Sequence, residues 1–163
     1  MSPAERIGSD HSLLITASPA RVLSAFFDPI GLAAWWQVVR SITTPRPLGI
    51  YSVEWEPTEF RDDVLGPLGG VFYGTVMEFK AGRECFIGGA YWLPPEGEPI
   101  GPMALEITCA FRPATLAPAR SAGTLLRVCQ RGTEDGERWK RYYEVTGSGW
   151  KRALESLRAY LER

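Results

Sequence analysis

The sequence predicts an α+β fold in which a curved antiparallel sheet wraps around a long C-terminal helix, with two short helices after the first strand. Three observations carry this expectation. Residues between about positions 51 and 130 alternate apolar and polar side chains with a period of two. The last 25 or so residues change to a helical period. Near the N-terminus, Ser18-Pro19 and Asp28-Pro29 each read as the start of a helix.

Ser12 to Ile15 is a short strand-like run. At Ser18-Pro19 the serine can accept from orphan amides, while Pro at the first helical position gives up no needed donor. Val22, Leu23, Phe26 and Phe27 then recur at helical spacing. Asp28-Pro29 ends this helix, because a residue before Pro avoids helical angles. The same pair starts the next helix, with Leu32, Trp35 and Trp36 as its stripe.

Tyr51, Val53 and Trp55 alternate with Ser52, Glu54 and Glu56, giving one apolar and one wet face. Val71 to Phe79 is a strand in which neither face is wholly apolar, and Gly74 marks a bulge or bend. Lys80 to Arg83 reads as a hairpin turn into Cys85 to Leu93, a strand broken at Gly88-Gly89. Leu105, Ile107, Cys109 and Phe111 alternate with Glu106, Thr108 and Ala110, and Thr124 to Gln130 is the last strand. Short Gly-containing turns between successive strands favour an antiparallel meander of about five or six strands.

Trp150, Ala153, Leu154, Leu157, Tyr160 and Leu161 form one stripe of the terminal helix, which Arg138 to Val145 either extends or adjoins. Gly147 and Gly149 cost up to about 1 kcal/mol each relative to Ala. They mark a kink, a close approach of the backbone to a packed neighbour, or a new start at Ser148. A sheet with one apolar face and a helix with one apolar stripe bury both by packing together.

With 163 residues, 45% hydrophobic and 23% charged, the chain reads as one globular domain spanning residues 1–163. The formal net charge of -1 supplies no bulk attraction for nucleic acid or for an anionic membrane surface. Neither a signal-peptide pattern at the N-terminus nor a run of roughly 20 apolar residues is present, so the expected setting is cytoplasmic, without a membrane span. Cys85, Cys109 and Cys129 are odd in number and lie in apolar runs, which reads as buried free thiols. Six Trp, six Tyr and seven Phe suit a thick core, a pocket lining or an interface.

Four phrases, in order, resemble the START-like (SRPBCC, birch-pollen-allergen-type) helix-grip superfamily. They are the opening strand followed by Ala17-Ser18-Pro19-Ala20-Arg21-Val22, Asp28-Pro29 with Leu32 and Trp35-Trp36, Gly69-Gly70 leading into Gly74-Thr75-Val76, and Gly149-Trp150 leading into Leu154, Leu157 and Leu161. The chain is most similar to the branch named for the activator of the ninety-kilodalton heat-shock-protein ATPase (Aha-like). The resemblance spans nearly the whole chain and implies a deep cavity between the sheet and the C-terminal helix. It does not imply one chemistry, since the superfamily includes lipid and hormone carriers, polyketide cyclases and co-chaperone domains.

The residues offer little catalytic machinery. His11 is the sole histidine, which excludes a multi-histidine metal cluster, and at the start of a strand it reads as solvated or structural. Glu54, Glu56, Glu59, Asp62 and Asp63 are conceivable acids, yet their strand register and loop setting favour a solvated face. Gly66, Gly69 and Gly70 lack the Lys-Ser/Thr of a phosphate loop. Arg138, Lys140, Arg141, Lys151 and Arg152 read as the wet side of the long helix.

The aromatics are the remaining signal. Candidate ligand-binding residues are Phe26, Trp35 and Trp36 from the short helices, and Tyr51, Val53 and Trp55 from one strand. Leu105, Ile107 and Phe111 come from another strand, with Tyr143, Trp150 and Leu154 facing them from the long helix. Tyr91, Tyr143 and the indole groups would supply the few polar contacts. The expected function is non-covalent binding of a small apolar or aromatic ligand by a monomer or homodimer, with no catalytic residue, metal or cofactor. The alternatives are a co-chaperone-like module acting on a chaperone protein partner, and a cyclase or aromatase-type enzyme.

Overall fold

A computed structural model describes residues 7–132 and 136–163. The elements run β1 (Ile7–Ile15), α1 (Pro19–Ser24), α2 (Pro29–Trp36), β2 (Arg40–Thr43), β3 (Ile50–Trp55), β4 (Arg61–Asp62), β5 (Gly66–Pro67) and β6 (Gly70–Lys80). They continue with β7 (Glu84–Leu93), β8 (Ile100–Arg112), β9 (Thr115–Leu116), β10 (Ala119–Arg120), β11 (Gly123–Gly132) and α3 (Glu137–Glu162). Seven strands form one antiparallel sheet in the order β1-β11-β8-β7-β6-β3-β2, while β4-β5 and β9-β10 are small separate hairpins. The architecture is the expected one, a large antiparallel sheet against a long C-terminal helix with two short helices after the first strand.

Both helix starts follow from their capping chemistry. Ser18 Oγ accepts from the Arg21 amide at 3.2 Å, and Asp28 Oδ2 accepts from the Gly31 amide at 3.1 Å, with Pro19 and Pro29 opening the helices. The first strand is longer than expected, since its outer half is polar and carries no apolar run. The edge strand β2 lacks a sequence signature for a similar reason: it is short and Ile42 is exposed.

Pleat irregularities decide which side chains face α3. The β6–β7 register shifts between Tyr73 and Thr75, at the expected Gly74 bulge. A Cβ on Gly74 would lie 2.8 Å from Ile87 Cγ2, so only glycine fits there without displacing a neighbour. The β7–β8 register shifts between Ile87 and Ala90, across Gly88-Gly89. Cys85 and Ile87 are buried before that break, and Ala90 and Trp92 after it, so odd positions give way to even ones.

α3 is one uninterrupted helix through Gly147 and Gly149, with no new start at Ser148. Its residues Tyr143, Trp150, Leu154, Leu157 and Leu161 are buried in the core. Cys85, Cys109 and Cys129 are free and buried, as their apolar surroundings suggest. Among the described residues no helix is long and apolar enough to cross a membrane.

Candidate functional site

A pocket of about 850 Å³ lies between α3, the C-terminal end of α2 and the β3–β6 side of the sheet. Five of the six tryptophans line it, Trp35, Trp36, Trp55, Trp92 and Trp150. The order of α2 sets the first two: Trp35 is fully buried and Trp36, the last helical residue, stacks on it at 5.0 Å between ring centres. Trp36 then meets Trp55 edge-on at 5.1 Å and Trp150 at 4.9 Å, which joins α2, β3 and α3 into one aromatic wall. Trp92, from β7, stacks against Tyr142 of α3 at 5.2 Å.

The space exists because α3 carries two different stripes. Next to the bulky core stripe, Thr146, Gly149, Ala153 and Ser156 present small side chains to the pocket. At Gly149 a Cβ would meet nothing within 4 Å. The helix therefore packs tightly on one flank and stands clear of its neighbours on the other.

Polar groups sit at two places. Gln37, Glu56, Thr58 and Arg152 are exposed and form the rim. The second place is buried and centres on Gln130 of β11, whose Oε1 accepts from Trp150 Nε1 at 2.8 Å and whose Nε2 donates to the Tyr142 hydroxyl at 2.9 Å. Leaving either partner unpaired in such a setting costs about 1–3 kcal/mol. Burial pushes the Tyr142 hydroxyl up to about 12, against the opposing pull of hydrogen bonds from Gln130 and Thr146. Tyr142 thus keeps its proton at neutral pH and is a hydrogen-bond donor there, not a base.

No protein-family model and no curated protein sequence matches the chain. Solved structures do. Protein MLL2253 from Mesorhizobium loti is 18% identical, with a TM-score of 0.67 over 94% of this chain and 96% of its own. Protein Ms6760 from Mycobacterium smegmatis is 12% identical, with a TM-score of 0.70 over 99% and 95%. The Aha1 dimer from Colwellia psychrerythraea is 16% identical, with a TM-score of 0.60 over 94% and 95%. The chain shares the helix-grip fold of these structures, the Aha1 dimer among them. At these identities the likeness concerns the fold and leaves the chemistry to the residues of this chain.

Within the helix-grip frame, the expected residues Trp35, Trp36, Trp55, Leu105 and Trp150 come together around the pocket. Phe26, Tyr51, Val53, Ile107 and Leu154 are buried in the core beneath it. Tyr51 spends its hydroxyl on the Phe26 carbonyl at 2.8 Å, and Phe26 packs edge-on against Trp35 at 5.1 Å. Tyr143 packs against Trp139 and Tyr142, one helical position from the pocket, and its buried hydroxyl has no partner among the described residues. Tyr91 stacks on Tyr73 at 5.9 Å and does not line the pocket, because the Gly88-Gly89 break reverses its face. Phe111 is 58% exposed, near the end of β8.

Four of the five lining indole groups are not free polar contacts either. Trp35, Trp55 and Trp92 donate to the carbonyls of Ala25, Trp36 and Gly69, and Trp150 donates to Gln130. Sequence reasoning missed Trp92, Gln130 and Tyr142. The first was hidden by the bulge; the small-residue flank of α3 was the legible signal for the third.

One acid departs from the expected solvated face. Asp62 is buried in β4: its Oδ2 accepts from the Val64 and Leu65 amides at 3.0 Å, and its Oδ1 takes Arg141 Nε at 2.8 Å. Arg141 and these amides hold the Asp62 carboxyl down at about 2. Glu56 falls just past the end of β3, so strand alternation no longer governs it and it reaches the pocket rim. His11 lies inside β1, and its Nε2 is buried without a partner among the described residues.

Proposed function

We propose that the chain, acting as a single domain, binds a small apolar or aromatic molecule non-covalently in the pocket beside α3. The observation that carries this reading is the wall of five tryptophans around about 850 Å³, within the size range of small-molecule sites. Core packing alone would have closed such a space, since interiors are filled to crystal-like density. Here the α3 flank that faces it consists of Thr146, Gly149, Ala153 and Ser156, which keep it open.

The enzymatic alternative needs an ionisable group at the reacting atoms. The ionisable side chains lining the pocket are Tyr142, which keeps its proton, and Glu56 and Arg152 at the exposed rim. That arrangement favours binding over proton transfer. The co-chaperone alternative rests on the fold likeness alone.

The test is a fluorescence titration with the apolar dye N-phenylnaphthylamine. Saturable binding of one dye per chain, accompanied by quenching of tryptophan emission, is the expected result. Ala153→Trp, which fills the pocket from α3, should abolish it while leaving the far-ultraviolet circular dichroism unchanged. Dye that fails to saturate on the wild-type protein, or binds equally to the filled variant, sinks the proposal.

A further inference from the structure

The pocket is apolar along its walls and polar at one interior corner, and the hydrogen-bond directions at that corner can be worked out. Gln130 is 2% exposed, so its amide must be satisfied by the protein. An indole N–H can only donate, and Trp150 Nε1 lies 2.8 Å from one Gln130 atom, which must therefore be the carbonyl Oε1. The amide nitrogen then faces the Tyr142 oxygen and the Met103 sulfur, both at 2.9 Å, and its two hydrogens are spent.

The Tyr142 oxygen thus accepts from Gln130, which leaves its own proton to donate. Thr146, one turn further along α3, brings a second hydroxyl within reach of the first. Both residues line the pocket, and with Thr146 donating to the Tyr142 oxygen the Tyr142 proton is the one left unspent at this corner. Four of the five lining indoles spend their N–H on the protein, so this buried corner is where a bound molecule finds hydrogen bonding among apolar walls. Trp36 is the one lining indole without an assigned hydrogen bond, and its ring is enclosed by Trp35, Trp55 and Trp150.

The shape requirement comes from the rings. Trp92 lies within 29° of parallel to Tyr142, so the corner is bounded by flat faces. The charge requirement follows from separation. Arg152, the cationic residue of the lining, is ten positions beyond Tyr142 on one continuous helix, or about 15 Å along the axis. At that distance it cannot compensate an anion buried at Tyr142.

We propose that the pocket selects a flat, uncharged aromatic ligand bearing a carbonyl oxygen, which accepts a hydrogen bond from the Tyr142 hydroxyl while its rings lie against the tryptophan wall. This rests on the ligand-binding reading above. Fluorene and fluorenone test it, because they share one ring system and differ by the carbonyl. Affinities of both are measured by titration calorimetry for the wild type and Tyr142→Phe, and the carbonyl stretch of bound fluorenone is recorded by infrared difference spectroscopy.

The ratio of fluorenone to fluorene affinity should fall about fivefold or more in the variant, the worth of one net hydrogen bond. The carbonyl band should move to lower frequency on binding to the wild-type protein, a result that stands even if the variant does not fold. An unchanged ratio, or an unshifted band, overturns the carbonyl assignment while leaving apolar binding intact. If neither compound binds the wild type, the ligand-binding reading falls and this inference with it.

Discussion

Gly149 and Gly74 answer the same substitution in opposite ways, and the difference can be worked from the space around each. Gly149 lies in the interior of α3 with an ordinary helical backbone, and a Cβ added there meets nothing within 4 Å. Gly149→Ala should therefore gain the full helix-propensity difference, about 0.5–1 kcal/mol, part of it from a less free unfolded chain. For a chain of this size that is a rise in Tm of roughly 1–4 °C. At Gly74 the added Cβ would stand 2.8 Å from Ile87 Cγ2 and 3.1 Å from the Ala90 backbone. Gly74→Ala should cost about 1–3 kcal/mol as overpacking. Differential scanning calorimetry and urea titration read both. The same position also reports on the pocket: Gly149→Phe should lower N-phenylnaphthylamine affinity by at least about tenfold while the protein remains folded. If Gly149→Ala destabilises the protein, or Gly149→Phe binds the dye like the wild type, the flank of α3 does not face open space and the account of the pocket is wrong.

Other outcomes follow from the buried charges and thiols. Asp62→Asn should destabilise by about 2 kcal/mol, because it weakens two amide hydrogen bonds and the Arg141 pair at a buried site. The Asp62 carboxyl is held at about 2 from an ordinary 3.8, so its contribution is complete above the ordinary value and is lost as pH falls from 3.8 through 2. Wild type and variant should converge in stability at the acid end of a denaturation series. Burial lowers the His11 pKa below 6.5, with Asp10 opposing and Lys151 reinforcing the shift. The unfolded chain then takes up its proton first, so stability should decline as pH falls below 6.5, and His11→Gln should flatten that part of the profile. Burial pushes the Cys85 and Cys109 thiols up to about 12, so neither should react with Ellman's reagent until denaturant is added.

Much of the fold was legible because its determinants are local. Ser18-Pro19 and Asp28-Pro29 announce helix starts through capping chemistry that needs no tertiary partner. Tyr51-Val53-Trp55 and Leu105-Ile107-Cys109 show their buried face by alternation, and the pairing of successive strands follows from the short turns between them. Parts of the pocket were legible too, since Trp35, Trp36, Trp55, Leu105 and Trp150 lie on apolar registers that converge.

The remainder depended on partners far away in sequence. Asp62 reads as a loop acid until Arg141, 79 positions later, is brought against it. Gln130 lies near the end of a strand, with no local hint that Trp150 and Tyr142 will satisfy its amide. The face chosen by Tyr91 and Trp92 turns on a two-glycine break whose effect on register is fixed only when β8 pairs alongside. Period and capping are properties of a few neighbouring residues, so the sequence by itself determined the main elements, their order and the apolar faces that must be joined. Whether joined faces close or leave a space depends on side-chain volumes summed across several elements. Only the tertiary structure, setting the small flank of α3 opposite five tryptophans, decided that a pocket remains and where its hydrogen-bonding corner lies.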